Sequence, residues 1–424
     1  MRFLFTLLLL SLPALASREF LITAHGATTE GICTNQIQAT IDACEEAGGG
    51  TVVIPEGTFL TGSIFLKPGV DLRLEKGAVL KGSNRIEDYP KRPTRIEGHV
   101  VPWRMALLNA ADLTGLTISG EGTLDGNGET FWKAFWQRRR EDPKCTNLEV
   151  ERPRLVFIET CNRVEIKGIR LRNSGFWNLH LYRCRDVDID GIDIFAPGAD
   201  DPVRAPSSDG IDIDSCQRVT VRNTRIETDD DCIALKGSKG PLALDDESSP
   251  PVEDIVVEDC HFARGHGVVT LGSEATLVRN VQVRRCRVGP GNNLIRLKLR
   301  PDTPQRYENL IFEDIELTGE KGNIFEVRPW KQFLDLKGHE PPPSVVSNVV
   351  LRNIRGQYGS LGSLAGNDGD TIQNLVMEDI DLTLDTSVFR IGTPRNATAR
   401  NVSINGRPWR FPGAPRPRIL VAPR

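Results

Sequence analysis

A short unit, apolar-x-apolar-x-x-apolar-x-apolar, recurs along this 424-residue chain and restricts its fold more than any other feature. It begins as VEIKGIRL at position 164, VDIDGIDI at 187, VTVRNTRI at 219, IVVEDCHF at 255 and VQVRRCRV at 281. LIFEDIEL at 310, VVLRNI at 349, LVMEDIDL at 375 and VSING at 402 continue it. Period-two alternation marks a strand with one buried face, and Asn, Asp or Gly stands at the bend. One such unit has nothing to bury its apolar face against, whereas a stack of them shares a continuous core. The intervals, 23, 32, 36, 26, 29, 39, 26 and 27 residues, vary too much for a leucine-rich repeat, whose Leu/Asn ladder is also missing. Helical repeats would need a 3.6-residue period, which these units lack. The expected fold is all-β: a single right-handed parallel β-helix of about ten coils, roughly 50 Å long at about 4.8 Å per coil. Surplus residues loop outward, as in the segments 123–152 and 238–251. Thr34 is expected to cap a short helix over 35–47, ended by Gly48-Gly49-Gly50, that covers the first strand edges.

Ahead of the repeats, Arg2, the apolar run Phe3–Leu12 and the small-x-small site Ala14-Leu15-Ala16 have the pattern of an export signal over residues 1–16. The run is too short to span a bilayer, which takes about 20 residues. Residues 17–424 then form one domain, expected to be secreted or periplasmic, monomeric and free of the membrane once the signal is cleaved. Net charge is −4, or −5 once the single charge of Arg2 has left, so no global field attracts nucleic acid or another polyanion. A polyanionic partner would need a local basic site. Nine cysteines are too many to pair completely, and no Cys/His spacing argues for zinc. Recurring at repeat positions, they fit small buried apolar residues.

Four short segments concentrate the chemistry: Ser207-Ser208-Asp209-Gly210, Asp229-Asp230-Asp231-Cys232, Gly265-His266-Gly267 and Arg296-Leu297-Lys298. Each leads into, or lies within, an apolar-alternating run. Matching the inward residues gives offsets of 22 from Asp209 to Asp231, 36 from there to Gly267, and 28 from there to Ile295. Asp209 then stacks on Asp231, and Ser208, Asp230 and His266 form a neighbouring column. The last offset places Arg296 beside Val268 and Lys298 beside Thr270. Alternation points Arg296 and Lys298 outward, and an offset of 32 brings Asn178 and His180 to the same face one coil earlier. Three carboxylates this close cannot ionise independently, so one is held as an acid beside an ionised partner. Glycosidic hydrolysis requires that pairing. Arg296 and Lys298 make a cationic spot suited to a substrate carboxylate, with His180 and Asn178 as candidate substrate contacts. Trp132, Trp136, Trp177 and Trp330 suit either sugar stacking or core packing, and the run 137–140, Gln-Arg-Arg-Arg, fits a solvated loop. Asn396-Ala-Thr and Asn401-Val-Ser match the glycosylation sequon.

In these motifs the chain resembles glycoside hydrolase family 28, the polygalacturonases and their relatives. That family carries Asn-Thr-Asp, Gly/Gln-Asp-Asp, Gly-His-Gly and Arg-Ile-Lys in this order on successive coils of a parallel β-helix. The resemblance covers nearly the whole mature chain. It implies hydrolysis of α-galacturonosidic bonds in pectic polysaccharide or oligogalacturonides, by inversion and with neither metal nor cofactor. It further implies Asp230 as general acid, Asp209 and Asp231 as the pair activating water, and His266 as the acid's assistant. Arg296 and Lys298 become the grip on a uronate carboxylate. The chain departs from the pattern where Ser207-Ser208 replaces Asn-Thr and Asp229 replaces Gly or Gln, which bears on the sugar more than on the reaction. Rhamnogalacturonan hydrolysis and attack at chain ends fit the same framework. A β-helix pectate lyase using Ca²⁺ and a non-catalytic glycan-binding β-helix are the remaining alternatives.

Overall fold

The structure, a computed structural model, describes residues 18–412, so the expected export signal lies outside the described residues. Eleven short strands, from Ile64–Phe65 to Phe389–Ile391, stack in one parallel sheet along the molecule. The other strands of each coil form a 21-stranded sheet, parallel apart from its final pair. Such stacking is the architecture of a parallel β-helix. A separate antiparallel hairpin joins Lys91–Ile96 to His99–Arg104.

The core explains the register. Leu179, Ile211, Ile233, Val269, Ile295 and Phe325 are successive partners across the eleven-stranded sheet, and all are buried. Each such side chain stabilises the stack by about 1.5–3 kcal/mol relative to exposure. The observed offsets of 32, 22 and 36 are those expected from sequence, but Val269 pairs with Ile295, an offset of 26 in place of 28. Arg296 therefore lies beside Thr270, and Lys298 falls two positions along, past the Leu271–Leu297 pair. A two-residue slip keeps every apolar residue inward, so alternation alone does not distinguish the two registers.

The bends are built from residues that tolerate a left-handed backbone. Asn280, Asn309, Asn348, Asn374 and Asn396 all have φ between 56° and 59°. Their amides run as a ladder, each donating to the preceding carbonyl oxygen at 3.0, 2.9, 3.0 and 3.1 Å. One sequon asparagine, Asn396, is thus engaged, and the other, Asn401, donates to Asp379 at 2.7 Å.

Two helices lie outside the coils. Helix α1, Thr34–Glu46, packs against the first strands through Ile37, Ile41 and Cys44. Thr34 is its first residue and not its cap; the hydroxyl accepts the Gly62 N–H at 2.7 Å, tying the helix to the coil. Helix α2, Glu129–Glu141, occupies what was expected to be loop, and it buries Phe131, Trp132 and Phe135 on one face. All nine cysteines are free and buried. Three of them line one column, where Leu113 N–H donates to Cys161 Sγ at 3.4 Å and Cys184 N–H to Cys216 Sγ at 3.2 Å.

Candidate active site

Each functional side chain is placed by the turn entering a strand of the eleven-stranded sheet. Asp209 precedes Ile211–Asp214, Asp230 and Asp231 precede Ile233–Lys236, His266 precedes Val269–Leu271, and Arg296 and Lys298 lie within Asn293–Leu299. Glycines in the motifs permit this crowding. A Cβ on Gly210 would stand 2.5 Å from the Cys232 carbonyl oxygen, and one on Gly265 would collide with Cys232 Sγ.

The stacking brings one oxygen from each of Asp209, Asp230 and Asp231 within 4.8 Å of one another. Asp231 is fully buried and accepts three charged or hydroxyl donors, leaving acceptor capacity on Oδ2. Its Oδ1 accepts from Thr270 at 2.7 Å and Arg296 at 2.5 Å, and its Oδ2 from Lys298 Nζ at 2.7 Å. Burial alone would raise its pKa, yet Arg296 and then Lys298 hold it well below the usual carboxylate range. Asp230 is the partly exposed member, with Oδ1 3.1 Å from His266 Nδ1 and accepting the Asp231 N–H at 3.0 Å. Burial pushes Asp230 up, but the charge and hydrogen bond of His266 prevail and hold it at about 2. His266 answers in kind: burial lowers it, and Asp230 more than offsets that, raising it. Asp209 goes the other way. Burial and then the charge of Asp230 push it up to about 7, against the pull of Lys236. Of the trio, Asp209 is therefore the carboxyl whose surroundings favour the protonated form, not the expected Asp230.

Several neighbours are absent from the sequence reading. Lys236 Nζ lies 3.3 Å from Asp209 Oδ2 and 3.4 Å from Asp212 Oδ1, over the Trp177 ring at 4.6 Å. Burial lowers its pKa, but Asp209 and Asp212 raise it well above the usual value. Its signal was present: Cys232, Ala234 and Lys236 alternate outward with the buried Ile233 and Leu235. Asp229, the extra acid, is paired with Arg204, whose guanidinium lies 5.3 Å from the Trp136 ring centroid. Arg204 sits in a non-repeating loop, where no periodicity announces it.

Two expected substrate contacts are corrected. His180 is fully buried between Phe157 and Trp177, each ring centroid 5.0 Å away, with Nδ1 2.7 Å from Arg154. Burial pushes its pKa down to about 3, so it is a neutral packing residue out of reach of a glycan. Asn178 is also buried. Its amide donates to the Ser208 and Asp209 carbonyls at 3.2 and 3.1 Å, fixing the backbone that carries Asp209. Of the four tryptophans, Trp132 and Trp177 are buried, Trp177 with one edge on the cavity above the carboxylates, which Trp136 and Trp330 also line.

That cavity, about 420 Å³, is walled by Glu97 at the hairpin turn, Asn147, helix α2 and the segment 330–333. The family model for glycosyl hydrolases family 28 matches residues 44–402. The chain belongs to this family. An exopolygalacturonase of Platanus acerifolia is 24% identical over 397 residues, covering 90% of this chain and 94% of that protein. The hyperthermoactive exopolygalacturonase of Thermotoga maritima superposes with a TM-score of 0.73 at 23% identity, covering 93% of both chains. The polygalacturonase of Erwinia carotovora ssp. carotovora gives 0.71 at 21% identity, covering 92% of this chain and 97% of the other. Membership makes the chain a family 28 glycoside hydrolase and places its four motif segments in a hydrolase context. Within that context the carboxylate trio is balanced by Lys236, Arg296 and Lys298, with His266 against Asp230. These cations stand where a divalent ion would have to bind the same oxygens.

Proposed function

We propose that this family 28 enzyme is an exported polygalacturonase, hydrolysing α-galacturonosidic bonds in pectic polysaccharide by inversion. The observation that carries this reading is the trio Asp209, Asp230 and Asp231, with oxygens within 4.8 Å, set in a cation-lined cavity. As substrate fills the groove a proton passes from Asp209 to Asp230, the more exposed carboxyl beside His266. Asp230 delivers it to the leaving oxygen, and the ionised Asp209 takes a proton from the attacking water. Asp209 and Asp231 hold the attacking water. A water bound to both at about 2.7 Å bridges oxygens roughly 4.5 Å apart, which fits the observed spacing. Inverting pairs usually stand about 6.5–9.5 Å apart, and here the attacking water lies between two carboxylates on one side of the site. Arg296 and Lys298 orient Asp231 and present their remaining N–H groups to a uronate.

Reducing-end release from polygalacturonate, with NMR of the first-formed anomer, tests this reading. The β-anomer is expected; the α-anomer would demand a covalent intermediate. Enclosure of the cavity by the hairpin, α2 and the segment 330–333 favours attack at chain ends. Mono- or digalacturonate should then dominate from the first time points while viscosity falls slowly, and rapid viscosity loss would mean internal cleavage.

A further inference from the structure

The cations lining the cavity are matched by acids with one exception. Arg204 pairs with Asp229, Lys236 with Asp209 and Asp212, Lys239 with Glu274, Arg296 and Lys298 with Asp231, and Arg300 with Asp302. Arg139, on helix α2, lines the same cavity and has no carboxylate partner among the described residues. One of its N–H groups donates to the Pro143 carbonyl at 3.3 Å, and its shielded Nε has no hydrogen-bond partner. Its guanidinium lies 5.2 Å from the Phe135 ring centroid, and a second guanidinium, that of Arg152, lies 4.3 Å from the same centroid. Arg152 is fully buried and likewise lacks a carboxylate; it donates to the Pro206 and Asn147 carbonyls at 2.7 and 3.2 Å and to Ser207 Oγ at 3.3 Å. Burial pushes Arg152 down to about 9, against the pull of Glu97, and the charge of Arg139 adds to the lowering.

An unmatched guanidinium in the cavity wall, with a second buried against the same Phe135 ring, is costly without an anion. Trp136, partly exposed one residue from Phe135, supplies an apolar face beside them, of the kind a sugar ring packs against. We propose that Arg139 binds the carboxylate of a uronate residue on the α2 side of the cavity, making it a specificity-determining residue of this chain. The inference rests on the polygalacturonase reading for its choice of acidic sugar. A carboxylate offers two acceptors to the guanidinium fork, and the field of Arg152 strengthens the attraction. Helix α2 thereby becomes a wall that recognises charge as well as enclosing the site.

The test is titration calorimetry of the enzyme and of Arg139→Gln, both carrying Asp230→Asn so that trigalacturonate and its methyl ester are not hydrolysed, alongside reducing-end assays of wild type on polygalacturonate. Arg139→Gln should weaken trigalacturonate binding about 10- to 100-fold, the range for a charged hydrogen bond. Binding of the ester should change little, and Arg139→Lys should restore part of the loss. Unchanged affinity for the acid, or equal losses for acid and ester, would overturn the assignment; the latter result indicates a packing role against Phe135. If trigalacturonate binds through Arg139 but wild type cleaves no polygalacturonate, this inference stands and the polygalacturonase reading falls. If there is neither binding nor cleavage, both fall.

Discussion

At the scale of single residues, the carboxylates divide by what touches them. Asp231 is held by Thr270, Arg296 and Lys298, Asp209 lines the groove but is buried beside Lys236, and Asp230 is the most exposed of the three. Asp230→Asn should reduce kcat by about 10²–10⁴-fold, the usual contribution of acid–base catalysis, with an unchanged unfolding midpoint. Near-wild-type turnover would remove Asp230 from the mechanism. Because Lys298 holds Asp231, Lys298→Ala should lower kcat as well as raise KM. A pure KM effect would mean that the lysine serves substrate alone. The pH profile follows from Asp209, raised by burial and by Asp230 to about 7. Asp209 gives up its proton as pH rises through that value, so kcat/KM should fall on the alkaline side. Lys236 pulls Asp209 down, so Lys236→Met removes that pull and the alkaline limb should move to higher pH. A limb that stays put, or moves toward acid, would show that Lys236 does not govern the proton.

At the scale of elements, what repeats was legible and what does not repeat was not. Alternation alone placed Asp209 over Asp231 and put Arg296 and Lys298 on the outer face, because a one-residue slip would expose the core. It placed Arg296 beside Val268, whereas the pairing is with Thr270, because a two-residue slip costs nothing in burial. Helix α2 was missed for a related reason. Its buried Phe131, Trp132 and Phe135 follow helical spacing, but they interrupt a run of strands and end in the arginine-rich segment 137–140. His180 was misjudged because alternation reports direction and not cover. It points out of the coil, but into the space filled by Arg154, Phe157 and Trp177. The Lys91–Arg104 hairpin provides some of that cover, clamped by the Arg95–Asp214 ion pair at 2.9 Å with both side chains 1% exposed. Arg95→Ala strands a buried carboxylate and should cost about 3–5 kcal/mol. Pairing it with Asp214→Leu should recover part of that in denaturant unfolding. Equal losses in the single and double variants would argue that packing, not charge, anchors the hairpin.

At the scale of the molecule, one continuous core holds the coils together, and eight of the nine cysteines belong to it, Cys145 being buried elsewhere. Sequence alone left their pairing open, since nine thiols and an export signal are compatible with up to four disulfides. The fold puts them in columns because equivalent positions of successive coils stack, as with Cys161, Cys184 and Cys216. In such a column a thiol serves as a small apolar side chain, and burial raises the pKa of Cys184 well above that of a free thiol. Thiolate, the form that attacks oxidants and disulfides, is correspondingly scarce. Stability should therefore owe nothing to oxidation. A thiol-specific chromogenic reagent should detect none of the nine in the native enzyme and all nine after unreduced denaturation, and dithiothreitol should leave Tm unchanged. Seven or fewer thiols in the denatured, unreduced protein would reveal a disulfide, and with it a coil packing different from this one.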